Sequence, residues 1–269
     1  MPLLTLHLLS LQPGTDVKLF VKNVRSSPDV EVVVASRPRR LVIRPEVIDI
    51  HALTSGKWDL LLLLRSPGNG IPPALRSAIS DEYSVHTGVP SKLLKAYPEA
   101  DAKLKREASS ARLTGALEKA RNKPSSQSLE LSADLLAFMD ELVREHDKPV
   151  TMLNLLHFHP NGKPEYYKYG QGFASVAGKR GGNAKIVGNV VKPPSGQIDS
   201  RGDADKSENE WWNEISIVHY PSIRHFCDML AGEDYQEINS KYRLGALRDT
   251  MLLCTTEFDV EETPPNSKL

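Results

Sequence analysis

The chain has 269 residues, with 34 Lys and Arg against 34 Asp and Glu, so its formal net charge is zero. That length allows two domains of about 100–150 residues, and the even balance leaves no basic field to hold nucleic acid or an anionic membrane surface. Cys227 and Cys254 are the only cysteines. They are too few for a disulfide framework and lie in apolar segments away from any zinc-like spacing, so a reducing compartment is expected. The longest wholly apolar run, Leu60 to Leu64, is far shorter than the ~20 residues of a membrane span.

Leu3 to Leu11 reads as a buried strand ended by Gln12-Pro13-Gly14. Without a basic n-region or a small-residue cleavage site, this start is expected to be a strand rather than a signal peptide. Thr15 then caps a helix with Val17, Phe20, Val21 and Val24 on one face. Val30 to Ala35 is a β-branched run, followed by a basic turn, Arg37 to Arg40, and a short strand at Leu41 to Ile43. Trp58 to Arg65 is the next strand, Pro72 to Ile79 a short helix and Glu82 to Val89 a final strand. That order, βαββαβ, is the ferredoxin-like pattern.

Ala100 to Arg121 has a helix-favouring composition and is broken by Asn122 to Ser126, the sharpest boundary in the chain. Ser132 caps a docking helix whose stripe is Leu135, Leu136, Met139, Leu142 and Val143. From Val150 the pattern starts again. It runs as a strand to His159, a helix opened by Pro164 with Tyr166, Tyr169 and Phe173 on one side, and a strand from Asn183 to Val191. A polar loop from Pro193 to Asn209 follows, whose Arg201-Gly202-Asp203 reads as accidental. Trp211 to His219 is the third strand, helices run to Leu230 and from Asp234 to Leu247, and Met251 to Phe258 closes the unit. The expected divisions are 1–121, a linker and docking helix at 122–149, a second unit at 150–260 and a tail at 261–269.

Two echoes link the halves. Leu6 to Pro13, LHLLSLQP, matches Leu153 to Pro160, LNLLHFHP, pairing His7 with Asn154 at an offset of 147 residues. Trp58 to Pro67, WDLLLLLRSP, matches Trp212 to Pro221, WNEISIVHYP, at an offset of 154. Two motifs in the same order at nearly the same offset suggest one unit used twice.

The second half resembles the dimeric α+β-barrel superfamily. More narrowly, it resembles an uncharacterised domain-of-unknown-function branch related to antibiotic-biosynthesis-monooxygenase-like domains. The residues that carry this are Met152 to Phe158, Tyr166 to Gly170, Lys179 to Gly182, His219 to Phe226, Glu233 to Asn239 and Lys241 to Arg243. The resemblance implies an α+β fold in which two tandem ferredoxin-like βαββαβ units pack sheet to sheet as an intrachain barrel. Relatives include cofactor-free monooxygenases, muconolactone isomerases, polyketide cyclases and haem-binding dye-decolourising peroxidases. A fold that hosts so many chemistries does not fix a reaction.

The first and third strands of such a sheet are expected to be adjacent and parallel, which would set His157, His159 and His219 at one edge. With the Leu and Ile of those strands facing the helices, His157 and His219 would border a helix-side cleft near Tyr166 or Tyr169 as acid/base groups. Structural hydrogen bonding to a loop is the commoner use of such histidines. Asn154, Trp212 and Glu214, with His7 of the first half, are expected on the opposite face, inside the barrel, as a polar substrate-binding pocket or a satisfied structural network. Tyr235, Tyr242 and Arg243 are explained equally well by packing onto the sheet. No phosphate loop, dinucleotide fingerprint or metalloprotease motif occurs, and no metal is expected. No cofactor is expected, although haem on a proximal histidine stays open.

Ser267-Lys268-Leu269 reads as the tripeptide bound by the peroxisomal import receptor, displayed on a Pro-rich polar tail. Two functions follow as expectations. One is a cofactor-independent peroxisomal enzyme (monooxygenase, cyclase, isomerase or lyase) acting on a small apolar or aromatic metabolite. The other is a non-catalytic binding or structural module. Nucleic acid and membrane are not expected partners, and a homo-oligomer is compatible with both. An apolar cavity with converging histidines would favour the enzyme, and a filled barrel the module.

Overall fold

The computed structural model describes residues 1–66, 70–121, 131–202 and 206–262. The breaker at 122–126, Asp203 of the Arg-Gly-Asp run and the tripeptide Ser267-Lys268-Leu269 lie outside them. Eight strands are present among the described residues: β1 (Leu3–Leu11), β2 (Glu31–Ile43), β3 (Leu60–Arg65), β4 (Ile79–Gly88), β5 (Val150–Phe158), β6 (Asn183–Val190), β7 (Glu214–Tyr220) and β8 (Leu247–Glu257). They close into one barrel in the order β1-β3-β2-β8-β5-β7-β6-β4, antiparallel at every junction.

The helices are α1 (Val17–Arg25), α2 (Ile50–Thr54), α3 (Ser91–Glu107), α4 (Ala116–Arg121), α5 (Ala133–Glu145), α6 (Gly162–Gly178), α7 (Ile223–Leu230), α8 (Glu233–Ile238) and α9 (Phe258–Glu262). None among the described residues is long and apolar enough to cross a membrane.

Period-two alternation sorts the strand residues onto two faces. Leu4, Leu6, Leu8, Leu61, Leu63, Leu153, Leu155, Ile215, Ile217, Met251 and Leu253 form one buried cluster with Trp211 and Trp212. Every strand of the barrel contributes to this cluster, so it is the lumen, and it is packed with side chains. The other face of β5, β7 and β8 carries Met152, Val218, Tyr220, Leu252 and Cys254, which α5 to α8 cover with Met139, Phe173, Phe226 and Tyr235. On the first half, Leu9, Leu60, Leu62 and Leu64 lie under Phe20, Val21 and Val24 of α1.

Several expectations are corrected. The first and third strands of the second half, β5 and β7, are adjacent but antiparallel, with Thr151 opposite His219 and Leu156 opposite Glu214. The Leu and Ile of these strands fill the lumen instead of facing the helices, because only eight strands' worth of large apolar side chains can fill a barrel of this size. Asn154, Glu214 and His7 therefore face outward.

Strand β2 runs straight through the basic stretch expected to turn. There Arg37 and Arg39 pair with Glu261, the Arg40 guanidinium lies 5.5 Å from the Phe138 ring centroid, and Pro38 sits at a register shift against β8. Helix α3 begins at Ser91 rather than Ala100 and carries Pro98 inside it, because Leu93, Leu94 and Tyr97 pack against the lumen cluster. Asp16, not Thr15, caps α1, accepting from the amides of Lys18 and Leu19. Strand β8 starts at Leu247, where the preceding helix was expected to end, and β7 starts only at Glu214, after both tryptophans.

One end of the lumen is closed by the 44–49 loop. Buried Asp249 accepts from the amides of Glu46 (2.9 Å), Val47 (2.9 Å) and Ile48 (2.7 Å). Hydrogen bonds to a charged acceptor contribute more than neutral ones. Asp249→Ala is expected to destabilise the fold by about 3 kcal/mol, with amide exchange rising first at residues 46–48. Unchanged exchange there would refute the role.

Candidate functional site

Outward alternation on β5 and β7 sets Met152, Asn154, Glu214, Ser216 and Val218 in a row, with Asn154 directly opposite Ser216. Above them α6 presents Tyr166, Tyr169 and Phe173 at helical spacing. Their rings form a continuous ladder from Phe158 (5.2 Å between centroids to Tyr166, 5.2 Å to Tyr169, 5.6 Å to Phe173). Tyr235 of α8 meets Tyr169 edge-on at 6.5 Å. Helix α6 can approach this closely because it starts at Gly162, two residues before the expected Pro164, and any side chain on Gly162 would collide with the carbonyl of Ala246.

The space enclosed between sheet and helices is a cavity of about 400 Å³ lined by these residues, with Lys163 and Arg243. Asn154, Tyr166, Tyr169 and Glu214, all expected to bind substrate, meet here. The cavity lies outside the lumen and not within it. Glu214 is half-buried and has no hydrogen-bond or ion-pair partner among the described residues. Burial raises its pKa to about 6, against a smaller opposing pull from Lys163. Burial also raises the Tyr166 phenol, which hydrogen-bonds Arg243. The Tyr166 phenol is therefore neutral, while Glu214 is mostly ionised at neutral pH and half-protonated near 6, poised to take up or give a proton.

The histidines do not converge on this space. His157 lies six residues along β5 from the partner of His219, about 20 Å away at strand spacing. His157 is fully buried with Nδ1 2.7 Å from the Trp211 carbonyl, and burial lowers its pKa. His219 is buried at the opposite end of the lumen with neither ring nitrogen hydrogen-bonded among the described residues, and burial, reinforced by Lys185, lowers its pKa to about 3. His159 is exposed. Trp212 is buried in the lumen, its indole N–H donating to the Tyr83 hydroxyl at 2.8 Å.

Beside His219 lies a buried ion network. Lys185 meets Asp101 and Glu257, and Lys105 meets Asp101 (2.5 Å), Glu257 (2.6 Å) and Asp259 (2.7 Å). Asp101, Glu257 and Asp259 lie close enough together to hold a metal, but two ammonium groups already occupy their oxygens.

A second, polar cavity of about 880 Å³ stands over β1 and β4. His7 lies in its wall with Nδ1 2.6 Å from Glu82, whose other oxygen meets Arg76. Burial lowers the pKa of His7 more than Glu82 raises it, so the imidazole is neutral, donates from Nδ1 and leaves Nε2 unprotonated.

Sequence reasoning gave no site role to Lys163, and it found Tyr235 and Arg243 explained equally well by packing onto the sheet. Arg243 reaches the cavity from a π-helical turn, Asn239–Arg243, a local geometry with no sequence signal of its own.

No family model matches the chain, and no curated protein matches it. Among solved structures, a protein of unknown function from Rhodopseudomonas palustris is 24% identical, covering 49% of this chain and 92% of its own, with a TM-score of 0.32. A provisionally named monooxygenase from Lactobacillus acidophilus is 6% identical over 95% of this chain and 93% of its own, with a TM-score of 0.45. A variant of DypB from Rhodococcus jostii, in complex with heme, is 12% identical over 97% and 95%, with a TM-score of 0.36. Likenesses this distant carry no functional weight, and the α+β barrel stands on its own strand pairings.

Proposed function

We propose that the chain is an enzyme that moves a proton on a small apolar or aromatic metabolite held between the second sheet and α6 to α8, with Glu214 as the base. The observation that carries this is a carboxylate raised to about 6 in an aromatic cavity, with no partner among the described residues. An unpaired carboxylate half-removed from water is unfavourable for folding alone, and perturbed groups in clefts mark reactive sites. Ionised Glu214 removes a proton from a C–H or O–H of the ligand. The Tyr166 hydroxyl donates to the oxygen that gains charge, and the ring ladder excludes water. Monooxygenase, cyclase, isomerase and lyase reactions can all begin with this step, which needs nothing beyond these side chains.

The test is to pass metabolite extract over the purified protein, identify the retained molecule and follow its turnover with wild type and Glu214→Gln. Loss of turnover with retained binding supports the proposal. Equal turnover refutes it.

A non-catalytic binding module is the second reading, favoured by the packed lumen and by the separation of His157 from His219. Retention of a ligand that is never converted would select it.

The reading extends to the architecture: the two halves are copies of one ferredoxin-like unit. The strand order is β4-β1-β3-β2 in one half and β8-β5-β7-β6 in the other, the same order by position in each unit. Register agrees with the sequence echoes, because His7 pairs with Leu62 and Asn154 with Ser216, at the offsets of 147 and 154. Localisation belongs to the proposal too. An amino-terminal fluorescent fusion is expected to enter peroxisomes and to become diffuse when Leu269 is deleted, and unchanged import would remove the signal from the account.

A further inference from the structure

We infer that the polar cavity over β1 and β4 is a second binding site, one that takes a primary amine whose ammonium group donates to Nε2 of His7. This cavity, of about 880 Å³, is distinct from the one between the second sheet and α6 to α8. The inference does not rest on the chemistry proposed there.

The imidazole carries the argument. His7 is 1% exposed, stands in the cavity wall and has no hydrogen-bond partner for Nε2 among the described residues. Its Nδ1 is committed to Glu82 at 2.6 Å, and the other oxygen of Glu82 meets Arg76. The ring therefore cannot turn to match Nε2 without breaking the pair at Nδ1. A buried acceptor left without a donor is unfavourable, and a carboxylate behind an imidazole strengthens the far nitrogen as an acceptor. Burial would push Glu82 up, but its hydrogen bond to His7 and the charges of His7 and Arg76 hold it below the usual carboxylate range. The carboxylate behind the ring is therefore ionised.

The surroundings of that nitrogen point to the shape and charge of the ligand. Beside Nε2 stands Gly70, held in the left-handed region at φ +80°, where any side chain would collide with Nε2. A glycine keeps this edge of the ring clear of side chains, which suits a slim head group. The charged residues lining the cavity are Asp29, Glu82 and Asp199 against Arg76 alone. Asp199 is buried and fixed by the amides of Arg201 (3.0 Å) and His86 (3.3 Å). An excess of negative charge around a bare acceptor favours a cationic donor and repels an anion. An alcohol can donate to Nε2 but brings no charge to meet the carboxylates. His7 is also the sequence counterpart of Asn154, which lines the first cavity, so each half turns the same position of its first strand toward a cavity of its own.

The probes are 1,4-diaminobutane, 1,4-butanediol and succinate, which share a four-carbon body and differ in charge. Calorimetric titration of the full chain at pH 7.5 is expected to give the diamine about tenfold tighter binding than the diol, or more, and no measurable binding of succinate. Nitrogen-15 NMR of the imidazole rings is expected to show His7 protonated at Nδ1 only, with an Nε2 resonance that moves on adding the diamine and stays in place with succinate. His7→Leu is expected to weaken the diamine by about tenfold. Equal binding of diamine and diol, binding of none of the three, a preference for succinate, a His7 resonance unmoved by the diamine, or wild-type affinity in His7→Leu would overturn the inference. The wild-type titration and the imidazole spectrum decide the matter even if the His7 variant fails to fold.

Discussion

Lys185→Met is expected to lower the unfolding free energy by about 3 kcal/mol, the low end of the range for breaking a buried ion pair. The lysine side chain is fully buried between Asp101 and Glu257. Removing it leaves two carboxylates facing the lumen, but Lys105 still binds both, which keeps the loss from the top of that range. Burial would push Glu257 up, yet Lys185 and then Lys105 outweigh burial and hold it at about 2.

The linkage sign follows from that lowered value. Glu257 adds stability above its ordinary 4.5, and the contribution disappears as pH falls from there toward 2. His219 acts in the same direction. With its pKa lowered to about 3 by burial and by Lys185, the unfolded chain takes up a proton that the native state refuses, so stability falls from pH 6.5 down to about 3. Urea midpoints measured from pH 8 to pH 3 should therefore decline steadily in wild type. Lys185→Met should start lower, and Lys185→Met with Glu257→Gln should recover part of the loss. A midpoint for Lys185→Met equal to wild type at pH 7 would show the network to be energetically idle.

Glu214→Gln is expected to reduce turnover of the retained metabolite by about 10²–10⁴-fold, the usual contribution of a positioned general base. The amide is nearly the same size, so the cavity persists and binding should change little. Wild-type kcat should rise with pH through about 6 as Glu214 ionises and then level off. A profile that instead follows a histidine near 6.5 would return attention to the lumen, but both His157 and His219 have pKa values lowered by burial. A fall in binding with unchanged kcat would make Glu214 a recognition group and not a base.

Much of the fold was legible because β-strand signals in this chain are strong and local. Leu60 to Leu64, the run from Val150 and the Ser132 cap all fall where structure places them. The capped ends of long strands were less legible, since Arg37 to Arg40 looks like a turn until Phe138 and Glu261 arrive from distant parts of the chain.

Which face of each strand points inward was not legible at all. Met152, Asn154 and Val218 alternate with Leu153, Leu155 and Ile217, and both sets are apolar enough to be buried. A strand covered on two sides gives no polar face to break the tie. That ambiguity, with the wrong relative direction of β5 and β7, put His157 and His219 together in expectation and the cavity on the wrong side of the sheet. Asn154 and Glu214 nevertheless meet Tyr166 and Tyr169 in one place, because exchanging the two strand faces carries the first pair to the helix side, where the tyrosines were expected.

The most direct measurement is a carbon-13 NMR titration of the Glu214 carboxyl group in the full chain. A midpoint near 6 that moves when the retained metabolite is added is the result expected of an unpaired carboxylate half-buried in an aromatic cavity. A midpoint at the ordinary 4.5, unmoved by ligand, would mean that Glu214 faces water and that the cavity is not where the chemistry happens.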